Sequence, residues 1–597
     1  MTKLFNIKTV ATLIVIFVVY LTIIFQMPAN GYWVTDSGNK AISAQSMAKF
    51  GTISINYPAA GIDKNGDFFP YSYFHFTKLA DGKIYSFYPF YYSAVNAFSY
   101  DFIAGSLYIF IINSALFFSL TFAILVLMQK NLHLRFPPWA LIITTALITP
   151  CFFYSLVVWE YGLATLLTSL SLLYILKYYT SQHNFNLFLA GIVLGLGCYI
   201  REECFFIGIA IGLVFLYQKI SIKRIFSYSI GAIIATVPFF IINKIVYGSI
   251  LGIHAVGYSK LNEFADNGAQ PANIIFEKLL NFYIYLLSIE PNSPQKYSPE
   301  VLNKIIIISL PVVALFLVGF INKNSKAIKN IKISALCLAA ISSLYISTSY
   351  LNSNEPILNT LFSKGLFGMV PILIIALIGS NYIFQKKCSK RIQFLYLICI
   401  VYTIILCLTL NQGVPGIIFG PRHFLILIPS MMLLTIYTGG KFISTLNQNQ
   451  KGLTLLSVAI LGFSSLLIEF AAVSTLYQKK IYISDIATKL QRNQQQFNNQ
   501  YVVSDVFWLA QEFGSVFYDK NIKFLAANKS SDLPRIITLM KKNNVRNFTL
   551  IVNKENRIIP AKDMMQLDRI SEIIPVGEFK FEQCKTYNLY MYQINFK

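Results

Sequence analysis

Thirteen apolar stretches, each near the length of a membrane-crossing helix, constrain this chain more than any other feature of its sequence. A hydrocarbon core takes about 20 apolar residues per helix. Stretches that meet or approach this length lie at about 8–26, 104–128, 138–156, 159–177, 185–200, 204–218, 225–246, 303–321, 332–350, 361–384, 391–410, 421–439 and 452–475. Within lipid every backbone polar group must find its partner inside the protein, so such stretches fold as helices. The expected fold is an α-helical integral membrane protein with about thirteen transmembrane helices. Composition agrees: 13% of the residues are charged, against roughly 25% in soluble domains, and mean hydropathy is +0.57. The first run has no clean small-residue cleavage site behind it and many spans ahead of it, so it reads as an uncleaved span rather than a signal peptide.

The formal charge of +23 would suit nucleic acid, but its placement does not. With the N-terminus inside, sixteen basic residues, from Lys130 to Lys451, fall in short inside loops, and only Arg201 and Arg422 in short outside ones. That asymmetry is a topology signal, so membrane lipids rather than nucleic acid are the expected surroundings. The eight cysteines form no CxxC pair, and most lie in apolar runs, which points away from a disulfide framework or a zinc site. An odd number of spans puts the C-terminus outside.

Two divisions follow: a polytopic domain over 1–475 and a small extracytoplasmic α/β domain over 476–597. The polytopic part carries two long outer segments, about 27–103 and 248–302. In the tail, "YVVSD", "IKFLAAN" and "NFTLIVN" read as strands, with "DVFWLAQEFGSVFYD" and "SSDLPRIITLMKKN" as helices between them. "KLQRNQQQFNNQ", ahead of the first strand, reads as a polar linker or an exposed helix end. "GIVLGLG" (191–197) carries a GxxxG spacing, whose ordinary use in a membrane is helix packing.

Soluble-enzyme motifs are absent: no phosphate loop, no HExxH, no GxSxG. What remains is a set of charges on one face. Asp36 follows the first span, Glu160 lies between the third and fourth, Arg201, Glu202 and Glu203 form the next outer turn, and Arg422 and His423 open the twelfth span. Ionisable groups at the membrane boundary are costly to hold and are functional candidates by default; the alternative for each is snorkelling or local pairing. For Asp36 that alternative is to cap a helix beginning near Gly38. Arginine grips phosphate through paired hydrogen bonds, and carboxylates serve as bases or as ligands of a divalent cation.

Three stretches resemble the GT-C glycosyltransferases, polytopic enzymes that use polyprenyl-phosphate sugars, especially bacterial relatives of protein mannosyltransferases and aminoarabinose transferases. They are "TDSGNKAISAQSMAKFG" (35–51), "DGKIYSFYPFYYSAVNAF" (81–98) and "FGPRHFLILIPSMML" (419–433). The likeness covers roughly 1–475 in layout. One departure is that Pro89, Phe90 and Tyr91 stand where many relatives have Pro-Pro-Gly.

The resemblance implies Asp36 as the catalytic carboxylate and Glu160 as the assisting one, both possible ligands of a divalent metal. It implies Arg201, Arg422 and Lys83 as holders of the lipid phosphate. Tyr85 and Tyr88 offer an aromatic surface to a sugar face or an isoprenoid, and membrane-interface anchoring accounts for the tyrosines of this stretch equally well; Glu202 and His423 are further candidates of the site. The expected function is transfer of a sugar from a polyprenyl-phosphate donor to a lipid, glycan or protein acceptor. It would take place on the outer face of a bacterial-type inner membrane, with the N-terminus cytoplasmic and the tail periplasmic. A flippase for a lipid-linked glycan and a glycan polymerase or ligase are the rival readings.

Overall fold

A computed structural model describes residues 6–71, 75–102, 107–257, 299–321, 325–352, 365–385, 388–409, 419–506, 508–554, 558–559, 561–581 and 587–597, with isolated positions between 278 and 287. Most of the outer segment expected at 248–302 lies outside these residues.

Apolar sequence builds helices in the expected places. The first are α1 (Ile7–Gln26), α2 (Thr35–Phe50), α3 (Phe90–Phe102), α4 (Tyr108–Asn131), α5 (Pro138–Leu147), α6 (Cys151–Ser155), α7 (Tyr161–Ser181), α8 (Asn184–Ile200), α9 (Glu203–Tyr217) and α10 (Ile222–Tyr247). Pro299–Gly319, Lys326–Asn352, Lys390–Thr409 and Gln448–Phe497 follow among the longer ones. Eight helices of the described residues are long and apolar enough to cross a membrane. Large apolar side chains such as Ile14, Val15 and Val18 of α1 and Ile233, Ile234 and Ile241 of α10 are exposed. Such faces belong in lipid, and the chain is a multi-pass helical membrane protein.

Three of the thirteen expected stretches are broken, each with a proline at the break, although Pro238 and Pro311 lie inside unbroken helices. Pro150 separates α5 from α6. Pro371 and Gly379 divide the stretch at 361–384 into short pieces around a 3₁₀ turn, Pro371–Ile374. The twelfth begins as a 3₁₀ segment, Arg422–Leu427, before Pro429 enters the first turn of the helix Ile428–Ile443. Proline lacks the amide proton the ladder needs and restricts the residue before it. The GxxxG stretch packs α8 on α10: a Cβ on Gly191 would come within 2.1 Å of the Tyr228 carbonyl oxygen, and one on Gly231 equally close to that of Phe188.

The last long helix, Gln448–Phe497, has 50 residues. At 1.5 Å per residue it is about 75 Å long, far more than a hydrocarbon core of about 30 Å. It therefore runs straight through position 476, and "KLQRNQQQFNNQ" forms its final turns. Beyond it lies a five-stranded sheet of β3 (Tyr501–Ser504), β4 (Lys523–Ala526), β5 (Asn547–Asn553), β6 (Ser571–Phe579) and β7 (Leu589–Phe596), in the order β4-β3-β5-β7-β6. The pairs β3–β4 and β3–β5 are parallel, and β7 is antiparallel to both its neighbours. The helix expected over 505–519 shrinks to Leu509–Glu512, because the residues after it form turns packed against the loop between α1 and α4, where Gly514 accepts from Gln45 and Ser515 donates to the Asn30 carbonyl. A two-stranded hairpin, β1 (Phe76–Lys78) with β2 (Ile84–Ser86), completes that loop.

Candidate active site

The sequence "TDSGNK" folds as the first turns of α2. The helix begins at Thr35, behind an extended Val34, not near Gly38. Asp36 is therefore inside the first turn, where the positive end of a helix favours an anion, and is not the cap. Its carboxylate faces Arg422, with Oδ2 3.6 Å from Nη1.

Lys40 lies one turn further along α2 and is buried. Its Nζ is 3.2 Å from Glu160 Oε2 and 3.8 Å above the centre of the Tyr88 ring, with Trp159 on another side. Glu160, just ahead of α7, accepts a 2.6 Å hydrogen bond from Arg201 Nη1 on its other oxygen. Arg201, between α8 and α9, also donates Nε to Glu203 Oε2 at 2.8 Å and Nη2 to the Tyr161 hydroxyl at 2.8 Å, and Nη2 reaches Glu203 Oε1. Glu203 then meets His423 Nδ1 at 2.7 Å. The ends of five separate segments thus meet in one network of alternating charge.

The two arginines differ in how fully they are engaged. Arg201 is tied to two carboxylates and a phenol. Among the described residues Arg422 has one loose pair, with Asp36, and a 3.4 Å contact from Nε to His423 Nε2. Among the cluster's carboxylates Asp36 is the most open, 20% exposed against 4% for Glu160 and 6% for Glu203. Burial alone would raise the Asp36 pKa. The positive charges of Lys40 and Arg422 outweigh it, with help from His75 and the Tyr88 hydroxyl, and hold the group below the usual aspartate value. Lys40 moves down as well: burial dominates, and Glu160 and Asp36 only partly offset it.

Of the residues the sequence singles out, Asp36, Glu160, Arg201, Arg422, His423 and Tyr88 come together here. Three do not share the network's contacts. Lys83 lies exposed on the β1–β2 turn, 3.8 Å from Asp81. Tyr85 packs against Tyr247 in a small separate cluster. Glu202 is more than half exposed and pairs with His254 Nδ1 at 2.5 Å. The sequence assigns no role to Lys40, Trp159, Tyr161 or Glu203, all four of which the structure brings into the network. The one signal for Lys40 is its spacing: four residues after Asp36 on a helix is the same face.

No group of three or more His, Cys, Asp or Glu side chains placed to hold a metal occurs among the described residues. Glu160 is already neutralised by Lys40 and Arg201, and Asp36 faces Arg422. This donor set does not fit a divalent cation shared between Asp36 and Glu160.

No protein-family model matches the chain, and no curated protein matches it by sequence. Solved structures do resemble it. The apo form of ArnT from Cupriavidus metallidurans aligns at 12% identity over 97% of both chains, with a TM-score of 0.50. ArnT from the same organism bound to undecaprenyl phosphate aligns over the same share at a TM-score of 0.49. The oligosaccharyltransferase AglB from Archaeoglobus fulgidus aligns at 10% identity over 91% of this chain and 69% of its own, at 0.46. The apo ArnT likeness shows the fold, that of a polytopic helical membrane protein.

Proposed function

We propose that this chain is a membrane glycosyltransferase that takes a sugar from a polyprenyl-phosphate donor and passes it to a lipid, glycan or protein hydroxyl. The site would lie on the outer face of a bacterial-type inner membrane, with the N-terminus cytoplasmic and the sheet region periplasmic. The observation that carries the reading is the Asp36–Arg422 pair: an ionised, partly open carboxylate beside a guanidinium with most of its donors uncommitted.

The chemistry is a displacement at the anomeric carbon. Asp36 takes the proton from the acceptor hydroxyl as its oxygen bonds to that carbon. The bond from the carbon to the phosphate oxygen breaks, and its electron pair leaves on the polyprenyl phosphate. Arg422 faces the departing phosphate, where a fixed donor in a dry site is worth most. Arg201 and Glu160 hold the frame: each is consumed by partners inside the network, so they orient Lys40 and Glu203 rather than touch substrate. Tyr88, with Lys40 beneath its ring and its hydroxyl on Asp36, closes one side.

The test is a proteoliposome assay with a defined polyprenyl-phosphate sugar and a hydroxyl acceptor. Sugar transfer that requires Asp36 supports the enzyme. Movement of the donor across the bilayer without transfer supports a flippase instead, and transfer of whole oligosaccharides only would mark a polymerase or ligase.

A further inference from the structure

The turn of α2 that carries Asp36 is gripped from the C-terminal region. Gly38, two residues after Asp36, meets the backbone of Gln511 so closely that a Cβ there would lie 1.9 Å from the Gln511 carbonyl oxygen. The Gln511 side chain, fully buried, donates to Asn39 Oδ1 at 3.0 Å. Gln45 on the same helix donates to the Gly514 carbonyl at 3.1 Å. The lead-in to α2 is held by the same segment: Tyr32 N–H donates to the Glu512 carbonyl at 3.1 Å, and Ser515 Oγ to that of Asn30 at 2.9 Å. Below them, Lys479 of the long helix donates to the Trp33 carbonyl and pairs with Glu512 Oε2 at 3.1 Å, with the Tyr587 hydroxyl 2.6 Å from its Nζ. All of these side chains except Ser515 are buried.

We propose that the segment 508–515 is a positioning element of the active site, fixing the first turn of α2 so that the Asp36 carboxylate stays beside Arg422. Gln511 and Gly38 are its central contacts. Neither touches substrate; both act through the backbone that carries Asp36. The geometry needed is strict, since misplacing a reacting group by about 1 Å costs on the order of a hundredfold in rate. Donor binding is a separate matter, because Arg422 stands on a different segment that 508–515 does not hold. The proposal rests on Asp36 being the base, and the two are separable by experiment.

The experiment uses the full-length protein in lipid nanodiscs, with Gln511→Ala, Gly38→Ala and, as a control at an exposed position just beyond β5, Lys554→Ala. Hydrogen–deuterium exchange is followed over peptides covering 33–45, alongside kcat and KM for a polyprenyl-phosphate sugar. Gln511→Ala is expected to speed exchange in 33–45 about tenfold and to lower kcat ten- to a hundredfold, with donor KM within about twofold of wild type. Lys554→Ala should change neither. Unchanged exchange in Gln511→Ala overturns the proposal, as does faster exchange with wild-type kcat, or a loss that appears in donor KM alone. If Gly38→Ala does not fold, Gln511→Ala carries the test. If the wild-type protein transfers no sugar, the catalytic reading fails on its own, and the exchange data still decide whether 508–515 holds α2.

Discussion

Lys40 holds its ammonium 3.2 Å from the Glu160 carboxylate, with both side chains buried. Breaking a buried pair by removing one partner costs about 3–5 kcal/mol, because the other charge is left uncompensated. Glu160 keeps Arg201, so Lys40→Met should fall near the low end, about 3 kcal/mol, read as a lower melting temperature in detergent. The double variant Lys40→Met with Glu160→Gln should recover part of it, since the pair is coupled. With Glu160→Gln alone as the remaining corner of the cycle, single losses that simply add in the double variant would show that the pair contributes no coupling.

The unequal engagement of the two arginines predicts that they fail differently. Arg422→Lys keeps the charge but loses the fork, and a charge-assisted hydrogen bond is worth about 1.5–3 kcal/mol. Donor affinity should drop roughly ten- to a hundredfold with little loss of thermal stability. Arg201→Lys should do the reverse, because four bonds to three partners, Glu160, Glu203 and Tyr161, hold the frame. Titration of each variant with a polyprenyl phosphate, beside a melting curve, separates the outcomes; identical profiles would contradict this division.

Much of the frame was legible in the sequence because apolar length is a strong, local signal. All thirteen stretches have helical counterparts among the described residues, and the three breaks fall at Pro150, at Pro371 with Gly379, and near Pro429; proline alone does not foretell them, since Pro238 and Pro311 stand inside unbroken helices. The charged outer residues were legible as a set because lipid makes charge expensive. Their pairing was not. Arg201 and Glu203 are two residues apart, yet Glu203 is also met by His423, which is 220 positions away, and no local rule reports that. Lys40 escaped notice because one lysine in a polar helix looks solvated until the Glu160 segment is packed over it.

The pH dependence follows from the charges around Asp36. A base must be ionised, and Lys40 and Arg422 hold this carboxyl below its usual value despite burial. The acid limb of kcat should therefore lie below the ordinary aspartate pKa of about 3.9, leaving kcat flat as pH falls from neutral through the ordinary carboxylate range. The same lowering adds stability that is present above the unfolded pKa and lost as pH falls through the folded one. Arg422→Gln removes one of the two largest lowering charges and should move the limb upward. A wild-type limb near neutrality that Arg422→Gln leaves in place would mean another group sets the profile.

Topology is checked at Ser530, an exposed position beyond β4 in the sheet region. A cysteine introduced there should react with an impermeant maleimide in cells whose outer membrane alone is permeabilised, above the background of the parent protein. Reaction only after the inner membrane is opened would place the sheet on the cytoplasmic side and reverse the assignment of faces.

Asp36→Asn tests the centre of the reading. Asn has nearly the same size and can still accept from the Tyr88 hydroxyl, so the helix, which opens at Thr35 without a side-chain cap, has no reason to unfold. What it loses is the negative charge that takes the acceptor proton and balances Arg422. A positioned general base contributes about 10²–10⁴-fold, so transfer should fall by at least that range while the protein still folds and expresses, its melting temperature lowered only by the loss of the Asp36–Arg422 pair. Donor affinity should hold or rise, because the guanidinium is released from its only carboxylate partner among the described residues. Were Asp36 merely a helix-end residue, Asn would be nearly silent, since it serves helix N-termini as well as Asp does. Full transfer activity in a normally folded Asp36→Asn protein would remove Asp36 from the chemistry.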